Sequence, residues 1–562
     1  MLEQATPSAN SLAPASLDDP LYYLKNLQAV VRWVTAHHHD LLKAEELEVL
    51  HRLLQLAMPA QALLARMIIR KGEIFRSDKL EYQEIPSSQS ALDELGQQGF
   101  IDTKAQISIE QLYKHCRRDE LLNLLHATGS TLPKSAKKSE LLSALEALEL
   151  AAGANSLDLW WPAAPFNLVS LQCMAVFDRM RLMFFGNLHQ DWSEFVLTEL
   201  GHQSYETVAF EPQFRAFASR EDVDSYLALH YCQTALQEAI DISTILPLLP
   251  SQLSNPWLEY RRQRLEFQIA QQAERAGDIP LAIELYTGNV LDEAKVRLYR
   301  VLEKNSDDIA AVIHDIEQDL QITFRLETRI HLQRILRRLS RKVGKPRSQP
   351  KRQTLPLIEL SLCETDQRVE FATLEALTKE DYLQGFYTEN WLFTGLLGLL
   401  FWPVLFEPLP GAFFHPFQAG PADLYRPDFG ARRQLQIEAR LATLDSGEYR
   451  VLIKNCWQEK FGIACSLVHW PVITETLLDL ALATIPAAHL KTILTHLLAD
   501  LRNHRRGMPD LCVFDRRLQS YKLVEVKGPG DRLQDHQTLW IESMLAAGIP
   551  IEVAQVQWIT PP

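Results

Sequence analysis

With 562 residues, the chain is too long for one hydrophobic core, and about three or four domains are expected. Nearly half of the residues (47%) are apolar, so most of the chain should fold, and seven scattered cysteines without a CxxC pair exclude a disulfide framework and a structural zinc site. The net charge of −14 does not exclude a nucleic-acid partner, because binding to phosphate depends on local basic surface.

The chain begins with a predicted disordered lead-in over residues 1–19, followed by a helical domain over residues 20–89. The lead-in lacks the basic and apolar regions of a secretory signal, and together with the unpaired cysteines this indicates a cytoplasmic protein. Leucines recur at helical spacing from Leu41 onwards, and helical periodicity is predicted to continue as far as Arg76.

Residues 90–154 are predicted to form a small helical DNA-binding domain. The segment RRDELLNLLHATGSTLPKSAKKSELLSAL contains two amphipathic helices joined by a turn at Gly129, and it resembles the SAP helix–turn–helix. Lys134, Lys137 and Lys138 lie around the start of the second helix, where backbone N–H groups also favour phosphate. We therefore predict that these lysines contact a DNA backbone; the alternative is an ordinary helical hairpin with a lysine-rich turn.

Residues 155–343 are predicted to form a TPR-like helical domain, with nearly continuous helices from Leu168 to Val343. The stretch QIAQQAERAGDIPLAIELY has small residues at helix contacts and Gly277-Asp278 at the turn, and it resembles one tetratricopeptide unit. Arrays of such units present a concave surface, which we expect to receive protein or duplex DNA.

The end of this helical domain carries the most basic stretch of the chain, which runs into a predicted basic linker over residues 344–365. Four arginines recur at helical spacing and form one face, here called the basic stripe: Arg334, Arg337, Arg338 and Arg341. Lys342 follows directly. A solvated helix face is the ordinary interpretation of such a run, but its single sign favours a track for DNA phosphates.

Residues 366–562 are predicted to form a C-terminal α/β domain. A possible strand at residues 357–362 precedes it, within the predicted linker, and its first helix is expected over residues 369–377. Leu392–Phe406 is apolar but too short for a membrane span, so it is predicted to be a buried helix. Two helical pieces broken near Pro486 then lead to Arg505 and Arg506, which could grip a DNA backbone.

Two short apolar runs, residues 511–514 and 521–527, have the composition of strands and are separated by a polar segment of hairpin length. Antiparallel pairing would place Asp510 almost opposite Glu525, and the strand period of two puts Lys527 on the same face as Glu525. Clustered carboxylates repel each other unless a hard cation such as Mg²⁺ or Mn²⁺ lies between them, and such a metal can activate water against a phosphate.

The hairpin is followed by Gly528-Pro529-Gly530, a predicted helix over residues 531–545, and the runs IPIEV and VQWIT, which are predicted to be the closing strands of a mixed sheet. The order Pro-Asp, hairpin, Glu-x-Lys resembles the PD-(D/E)xK nuclease superfamily. More specifically, RRGMPDL, VEVKGPGDRL and HQTLWIESMLAAGIPIEV resemble a virus-type replication-repair nuclease (VRR-NUC) domain.

Upstream, the segments MFFGNLHQDWSEFVLTELG, TENWLFTGLLGLLFWPVLF and PGAFFHPFQAGPADLYRPDF are similar to the Fanconi-associated nuclease, so the resemblance covers nearly the full length. It implies a multidomain, mostly α protein: a helical N-terminal half with SAP-like and TPR-like units, then an α/β PD-(D/E)xK nuclease domain with a mixed β-sheet. No zinc-finger spacing precedes these units, which favours a bacterial homologue.

The resemblance also implies a site. Glu389 corresponds to a further carboxylate before the core sheet, so Glu389, Asp510, Glu525 and the backbone carbonyl of Val526 are expected to hold one or two Mg²⁺ or Mn²⁺ ions. Lys527 is expected to position the attacking water, and Gln537 to orient Lys527 or a metal-bound water.

The implied activity is 5′-flap endonuclease and 5′→3′ exonuclease cleavage in interstrand crosslink repair, with branched or flapped DNA as the partner and no membrane. Two alternatives remain open at this stage. One is a nuclease resembling a Holliday-junction resolvase, and the other is a catalytically silent DNA-binding repair scaffold.

Overall fold

Helices make up most of the structure, a computed structural model that describes residues 18–147, 154–190, 192, 204–322, 326–344, 355–364 and 366–559. Most of the predicted lead-in and half of the predicted basic linker lie outside the described residues, including Lys345, Arg347, Lys351 and Arg352.

The N-terminal region is a set of helices around one large apolar cluster. Tyr23, Leu63 and Phe177 are among its fully buried members, and they bring three different helices together. The helices before residue 190 are α1 (Tyr22–His38), α2 (Ala44–Gln55), α3 (Met58–Ile69), α4 (Ser88–Gln97), α5 (Ile109–His115), α6 (Arg118–Ala127), α7 (Lys138–Glu146), α8 (Leu157–Trp160) and α9 (Met174–Phe185).

A three-stranded antiparallel sheet lies among these helices. The sequence analysis predicted helix as far as Arg76 and again from Leu168 onwards, and it was wrong at residues 74–76 and 168–171, which form strands. The strands are β1 (Ile74–Arg76), β2 (Ile101–Asp102) and β3 (Leu168–Leu171), and β3 lies between the other two. Each strand has four residues or fewer, so its periodicity cannot be separated from that of a helix, and pairing between distant segments decides the conformation.

Helical hairpins follow in the middle of the chain. Asn255 caps the helix Pro256–Ala276 with its side chain, and Gly277, with φ of +86°, ends that helix in the left-handed conformation. Asp278 then caps the next helix, as the Gly-Asp turn predicts. The helices are α10 (Arg220–Gln237), α11 (Ile242–Ile245), α12 (Pro256–Ala276), α13 (Ile279–Thr287), α14 (Asp292–Asn305), α15 (Ile309–Ile322) and α16 (Leu326–Lys342).

The C-terminal part combines a five-stranded sheet with helices. The strands are β4 (Leu357–Cys363), β5 (Leu383–Tyr387), β6 (Leu511–Asp515), β7 (Ser520–Lys527) and β8 (Ile551–Ile559), in the order β4-β8-β7-β6-β5. β8 is parallel to β4 and β7, whereas β6 is antiparallel to β5 and β7, so the predicted mixed sheet is confirmed.

The helices of this part include the predicted helix at residues 369–377 and the predicted break at Pro486, both confirmed. They are α17 (Val369–Leu377), α18 (Trp391–Leu400), α19 (Trp402–Leu405), α20 (Phe429–Arg432), α21 (Gln434–Ser446), α22 (Tyr449–Lys460), α23 (Glu475–Thr484), α24 (Ala487–Ala499), α25 (Leu501–His504) and α26 (Asp535–Ala546). Residues 392–400 of α18 are all buried, as predicted, but the single helix predicted to reach Phe406 ends at Leu400, and the short helix α19, with Pro403 in its first turn, follows it.

Two boundaries near the C-terminus differ from the sequence prediction. The last helix begins at Asp535 instead of residue 531, because the backbone N–H of Gln534 donates to the side chain of Gln537 and fixes the start of the helix there. Residues 551–553 of the run IPIEV and residues 556–559 of the run VQWIT belong to the single strand β8, since that strand pairs with β7 at its beginning and with β4 along most of its length.

Within the part of the chain that the structure describes, no single helix is long and apolar enough to cross a membrane. The one pair of helices that passes the same test jointly, α23 with α24, is bent by 112° at its break.

Candidate active site

The hairpin β6–β7 places two carboxyl groups at the same end of adjacent strands. Leu511 pairs with Val524, so Asp510, directly before β6, lies opposite Glu525. Val524 and Val526 pack in an apolar cluster on one face of the sheet, which directs Glu525 to the other face, where it is completely buried. The register predicted from the alternation of apolar and charged residues is therefore confirmed.

Glu525 uses only one of its two carboxylate oxygens in hydrogen bonds. Its Oε1 accepts from the Nε2 of Gln537 at 2.6 Å and forms an ion pair with the Nζ of Lys527 at 2.8 Å. Lys527 also donates to the Oε1 of Gln537 at 3.1 Å, which closes a three-residue ring. Oε2 of Glu525 is buried and has no hydrogen-bond partner among the described residues.

Gly507 explains how α26 can bring Gln537 to the hairpin. Its φ of +82° is in the left-handed region, and a Cβ there would lie 2.7 Å from the His536 ring and 3.2 Å from the backbone N of Gln537. A side chain at this position would push the start of α26 away from Glu525.

Asp510 connects the hairpin to Glu389 through its backbone. Its carbonyl oxygen accepts from the N–H of Thr388 at 2.8 Å and of Glu389 at 2.9 Å, and its Oδ2 accepts from the N–H of Val526 at 2.8 Å. Glu389 lies two residues after the end of β5 and has a φ of +35°, and the hydroxyl of Tyr387 donates to its Oε2 at 2.6 Å. The structure therefore brings Glu389, Asp510, Glu525, Lys527 and Gln537 into one site.

Burial disfavours the ionised forms of the carboxyl groups in this site. Burial raises the pKa of Glu525 to about 7, and the negative charge of Asp510 adds to the shift, against the opposing effect of Lys527. Burial also raises the pKa of Asp510 to about 6, although the N–H of Val526 and the ammonium of Lys527 act in the opposite direction. The phenol of Tyr387 has its pKa raised to about 12 by burial and by the adjacent carboxylate of Glu389, so it stays protonated.

These raised pKa values predict how the stability of the metal-free protein depends on pH. Both carboxyls bind protons more tightly in the folded chain, so stability should fall as the pH rises from about 4 through about 7. In EDTA, the melting temperature of the wild type should therefore fall more between pH 5 and pH 8 than that of Glu525→Gln, by about 3 °C. Parallel falls in differential scanning calorimetry would contradict this prediction.

The donor set of the site fits a hard divalent cation. Carboxylate oxygens are the ligands that Mg²⁺ and Mn²⁺ prefer, and a buried carboxylate oxygen without a partner, Oε2 of Glu525, is an atom that such an ion would satisfy. Among the described residues no three His, Cys, Asp or Glu side chains form a ready-made metal cage. Mg²⁺ is usually held by one or two carboxylates together with substrate phosphates, so the residues fit an ion whose shell the substrate completes.

The predicted DNA-binding residues of the SAP-like unit lie at the turn before α7. Lys134 and Lys137 are exposed, and Lys138 lies over the ring of Tyr113 at 4.3 Å from its centroid. The guanidinium of Arg118 donates to the backbone carbonyl of Lys134 at 2.8 Å, which fixes the turn and leaves the Lys134 and Lys137 ammonium groups available to solvent.

Part of the basic stripe on α16 forms ion pairs within the protein. Arg338 pairs with Glu303 at 2.7 Å, Lys342 donates to the Glu303 carbonyl at 2.8 Å, and Arg334 pairs with Asp535 at 3.3 Å. Among the described residues Arg337 and Arg341 have no side-chain partner outside their own helix, so they are the members of the stripe best able to meet phosphate.

Arg505 and Arg506 differ in environment although they are adjacent. The guanidinium of Arg505 lies over the Tyr425 ring at 4.4 Å from its centroid and donates to its hydroxyl at 3.1 Å, whereas Arg506 is exposed. Arg505 therefore has a structural contact within the domain, and Arg506 is the freer cation.

Sequence reasoning missed three residues near the carboxylates. Tyr387 and Arg368 hydrogen-bond to each other at 3.1 Å beside Glu389, and the negative charge of Glu370 contributes to the raised pKa of Asp510. Glu375 and Glu380, two further acidic residues that precede Glu389 in the chain, are exposed. The available signal was that Tyr387 precedes Glu389 by two residues, which places both on one side of an extended segment.

Family profiles match three segments of the chain. They are "FAN1, HTH domain" at residues 21–102, "Fanconi anemia-associated nuclease SAP domain" at residues 106–167, and "VRR-NUC domain" at residues 444–558. The last range contains Asp510, Glu525, Lys527 and Gln537, whereas Glu389 lies before it.

Curated relatives match over nearly the whole chain. The Fanconi-associated nuclease 1 homolog of Pseudomonas aeruginosa is 39% identical over 564 residues, covering 99% of this chain and 98% of the relative. The homolog of Oryza sativa subsp. japonica is 25% identical, covering 98% of this chain, and human Fanconi-associated nuclease 1 is 24% identical, covering 95%. The chain spans 64% and 62% of the lengths of these two eukaryotic relatives.

Solved structures give the same result. The crystal structure of paFAN1 bound to 2nt 5′ flap DNA with a gap superposes with a TM-score of 0.85 at 37% identity, covering 98% of this chain and 100% of that chain. The complex of paFAN1 with 1nt 5′ flap DNA and a gap gives a TM-score of 0.83 at 38% identity, covering 97% and 100%.

Proposed function

The chain belongs to the Fanconi-associated nuclease family, and on that premise we propose that this DNA nuclease is metal-dependent and cleaves 5′-flapped DNA. The proposal includes 5′-flap endonuclease and 5′→3′ exonuclease activity and a role in interstrand crosslink repair. The observation that carries it is the pair Asp510 and Glu525: Glu525 is completely buried, Asp510 is half-buried, and burial raises the pKa of both carboxyl groups, so a cation between them would stabilise their ionised forms.

Four groups are proposed to hold one or two Mg²⁺ or Mn²⁺ ions: the carboxylates of Glu389, Asp510 and Glu525 and the backbone carbonyl of Val526. When bound, such an ion supplies charge neutralisation at the scissile phosphate and lowers the pKa of a coordinated water. The backbone contacts of Asp510 hold Glu389 and Val526 beside it, which supports the assignment of these groups to one site.

Lys527 is proposed to orient the attacking water and to neutralise charge that develops on the phosphate. Its ammonium is held by Glu525 and by Gln537, so it cannot swing freely. Gln537 uses its amide nitrogen on Glu525 and its amide oxygen on Lys527, and it thereby fixes both side chains. Gln537 is thus proposed as a positioning residue for Lys527.

DNA contact is proposed through cations in three other regions. Lys134, Lys137 and Lys138 at α7 and the basic stripe with Lys342 at α16 are the proposed backbone contacts, together with Arg505 and Arg506 near the hairpin. Phosphate contacts orient a duplex without reading its sequence, which suits recognition of a branched structure. The complexes of paFAN1 with 5′-flap DNA support this choice of substrate.

A labelled 5′-flap duplex tests the proposal directly. With Mg²⁺ or Mn²⁺ we expect cleavage near the flap. In EDTA we expect no cleavage, because the site then holds no ion that could activate the attacking water. A matched four-way junction should be cleaved more slowly than the flap. Cleavage that persists in EDTA or in Asp510→Ala would contradict the metal mechanism, and faster cleavage of the junction would favour a resolvase.

A further inference from the structure

Glu389 is held by a chain of side chains that the proposed mechanism does not use. The hydroxyl of Tyr387 donates to Oε2 of Glu389 at 2.6 Å, and Nη2 of Arg368 donates to that hydroxyl oxygen at 3.1 Å. Arg368 also lies over the Tyr387 ring at 5.2 Å from its centroid, and the ring of Phe371 packs against the same tyrosine with centroids 5.3 Å apart.

The direction of these hydrogen bonds follows from the chemistry of the groups. A guanidinium only donates, so the Tyr387 oxygen must accept from Arg368. The phenol has a single proton, and Glu389 is the acceptor within reach, so the proton points to Oε2. Arg368 therefore fixes the orientation of the hydroxyl as well as the position of its oxygen.

The backbone gives this contact a reason. Glu389 adopts a φ of +35°, which an L-residue rarely adopts, and its N–H is tied to the carbonyl of Asp510. The backbone thus fixes the position of the Glu389 Cα, while the hydrogen bond from Tyr387 fixes the position of the Glu389 carboxylate. Within the described part of the chain, Oε1 of Glu389 receives only a long hydrogen bond, 3.4 Å, from Nδ2 of Asn390, and it is the oxygen left for another ligand.

We propose that Tyr387 is a positioning residue that binds one oxygen of Glu389 and presents the other to the divalent cation, with Arg368 fixing the direction of the tyrosine hydroxyl. This inference rests on the proposed function, because it assigns Glu389 to the metal. Outer partners of this kind orient ligating carboxylates and tune the affinity of the site for its metal.

The test is Mn²⁺ binding to the full-length chain without DNA, followed by isothermal titration calorimetry and by electron paramagnetic resonance of the free ion. We expect Tyr387→Phe to bind Mn²⁺ about 10–100-fold more weakly than the wild type. We expect Arg368→Met to lose less, since the hydroxyl remains but can turn. The matched control is Tyr382→Phe, which removes a tyrosine hydroxyl just before the opposite end of β5, where Arg517 lies over the ring.

A second readout separates positioning from a general structural effect. Excess Mn²⁺ should restore flap cleavage by Tyr387→Phe to near the wild-type maximal rate, and its melting temperature in EDTA should match that of Tyr382→Phe. Unchanged Mn²⁺ affinity in Tyr387→Phe would overturn this inference while leaving the proposed function intact. Absence of Mn²⁺ binding by the wild type, together with flap cleavage that persists in EDTA, would overturn the proposed function itself, and this inference with it.

Discussion

Replacing Glu525 by glutamine is expected to lower the rate of 5′-flap cleavage by at least about a thousandfold, which corresponds to about 4 kcal/mol of transition-state stabilisation. The substitution keeps the size of the side chain and keeps an oxygen for Gln537, but it removes the charge that binds a cation. Flap binding should change little, because DNA affinity comes from cations on other surfaces.

Single-turnover cleavage and fluorescence anisotropy in EDTA separate the two quantities. The matched control is Glu552→Gln on the neighbouring strand β8, whose carboxylate pairs with Lys522 at 2.8 Å, and it should cleave at the wild-type rate. If Glu525→Gln retains cleavage within about tenfold of the wild type, charge at this position is not required and the assignment of Glu525 is wrong.

The double variant Arg337→Gln, Arg341→Gln is expected to bind a 5′ flap about 10–100-fold more weakly near physiological salt. These two arginines have no side-chain partner outside α16 among the described residues, so their charges are available to phosphate. Loss of two phosphate contacts should also flatten the slope of log affinity against log salt by about 1.8, since each contact on a duplex contributes about 0.9.

Anisotropy titrations at several salt concentrations measure both effects. The control Arg337→Lys, Arg341→Lys keeps the charges and should leave the salt slope unchanged. Arg338→Gln should lower the stability of the protein and leave the salt dependence of flap binding nearly unchanged, because Arg338 is paired with Glu303. An unchanged slope in the double glutamine variant would remove the basic stripe from the DNA interface.

The core of the candidate site could be predicted because it depends on local patterns. The alternation of apolar and charged residues from Tyr521 to Lys527 determines which side chains share a face, and the short polar segment before it determines the antiparallel register. Asp510 and Glu525 therefore had to meet wherever the hairpin lay in the fold.

The remaining features depend on contacts between distant segments, which a single sequence does not encode locally. β3 pairs with strands about seventy and about a hundred residues earlier, and four residues of sequence carry too little periodicity to reveal it. The left-handed conformation of Glu389 follows from hydrogen bonds to Asp510, more than a hundred residues later. The pairing of Arg338 with Glu303 could not be seen from the charge run alone.

Crystals of the wild-type chain grown with Mn²⁺ and a 5′-flap duplex test the central assignment most directly. The anomalous difference map should show a peak within coordination distance of both Asp510 and Glu525, next to the scissile phosphate. Anomalous density elsewhere, or the two carboxylates turned to separate surfaces, would contradict it.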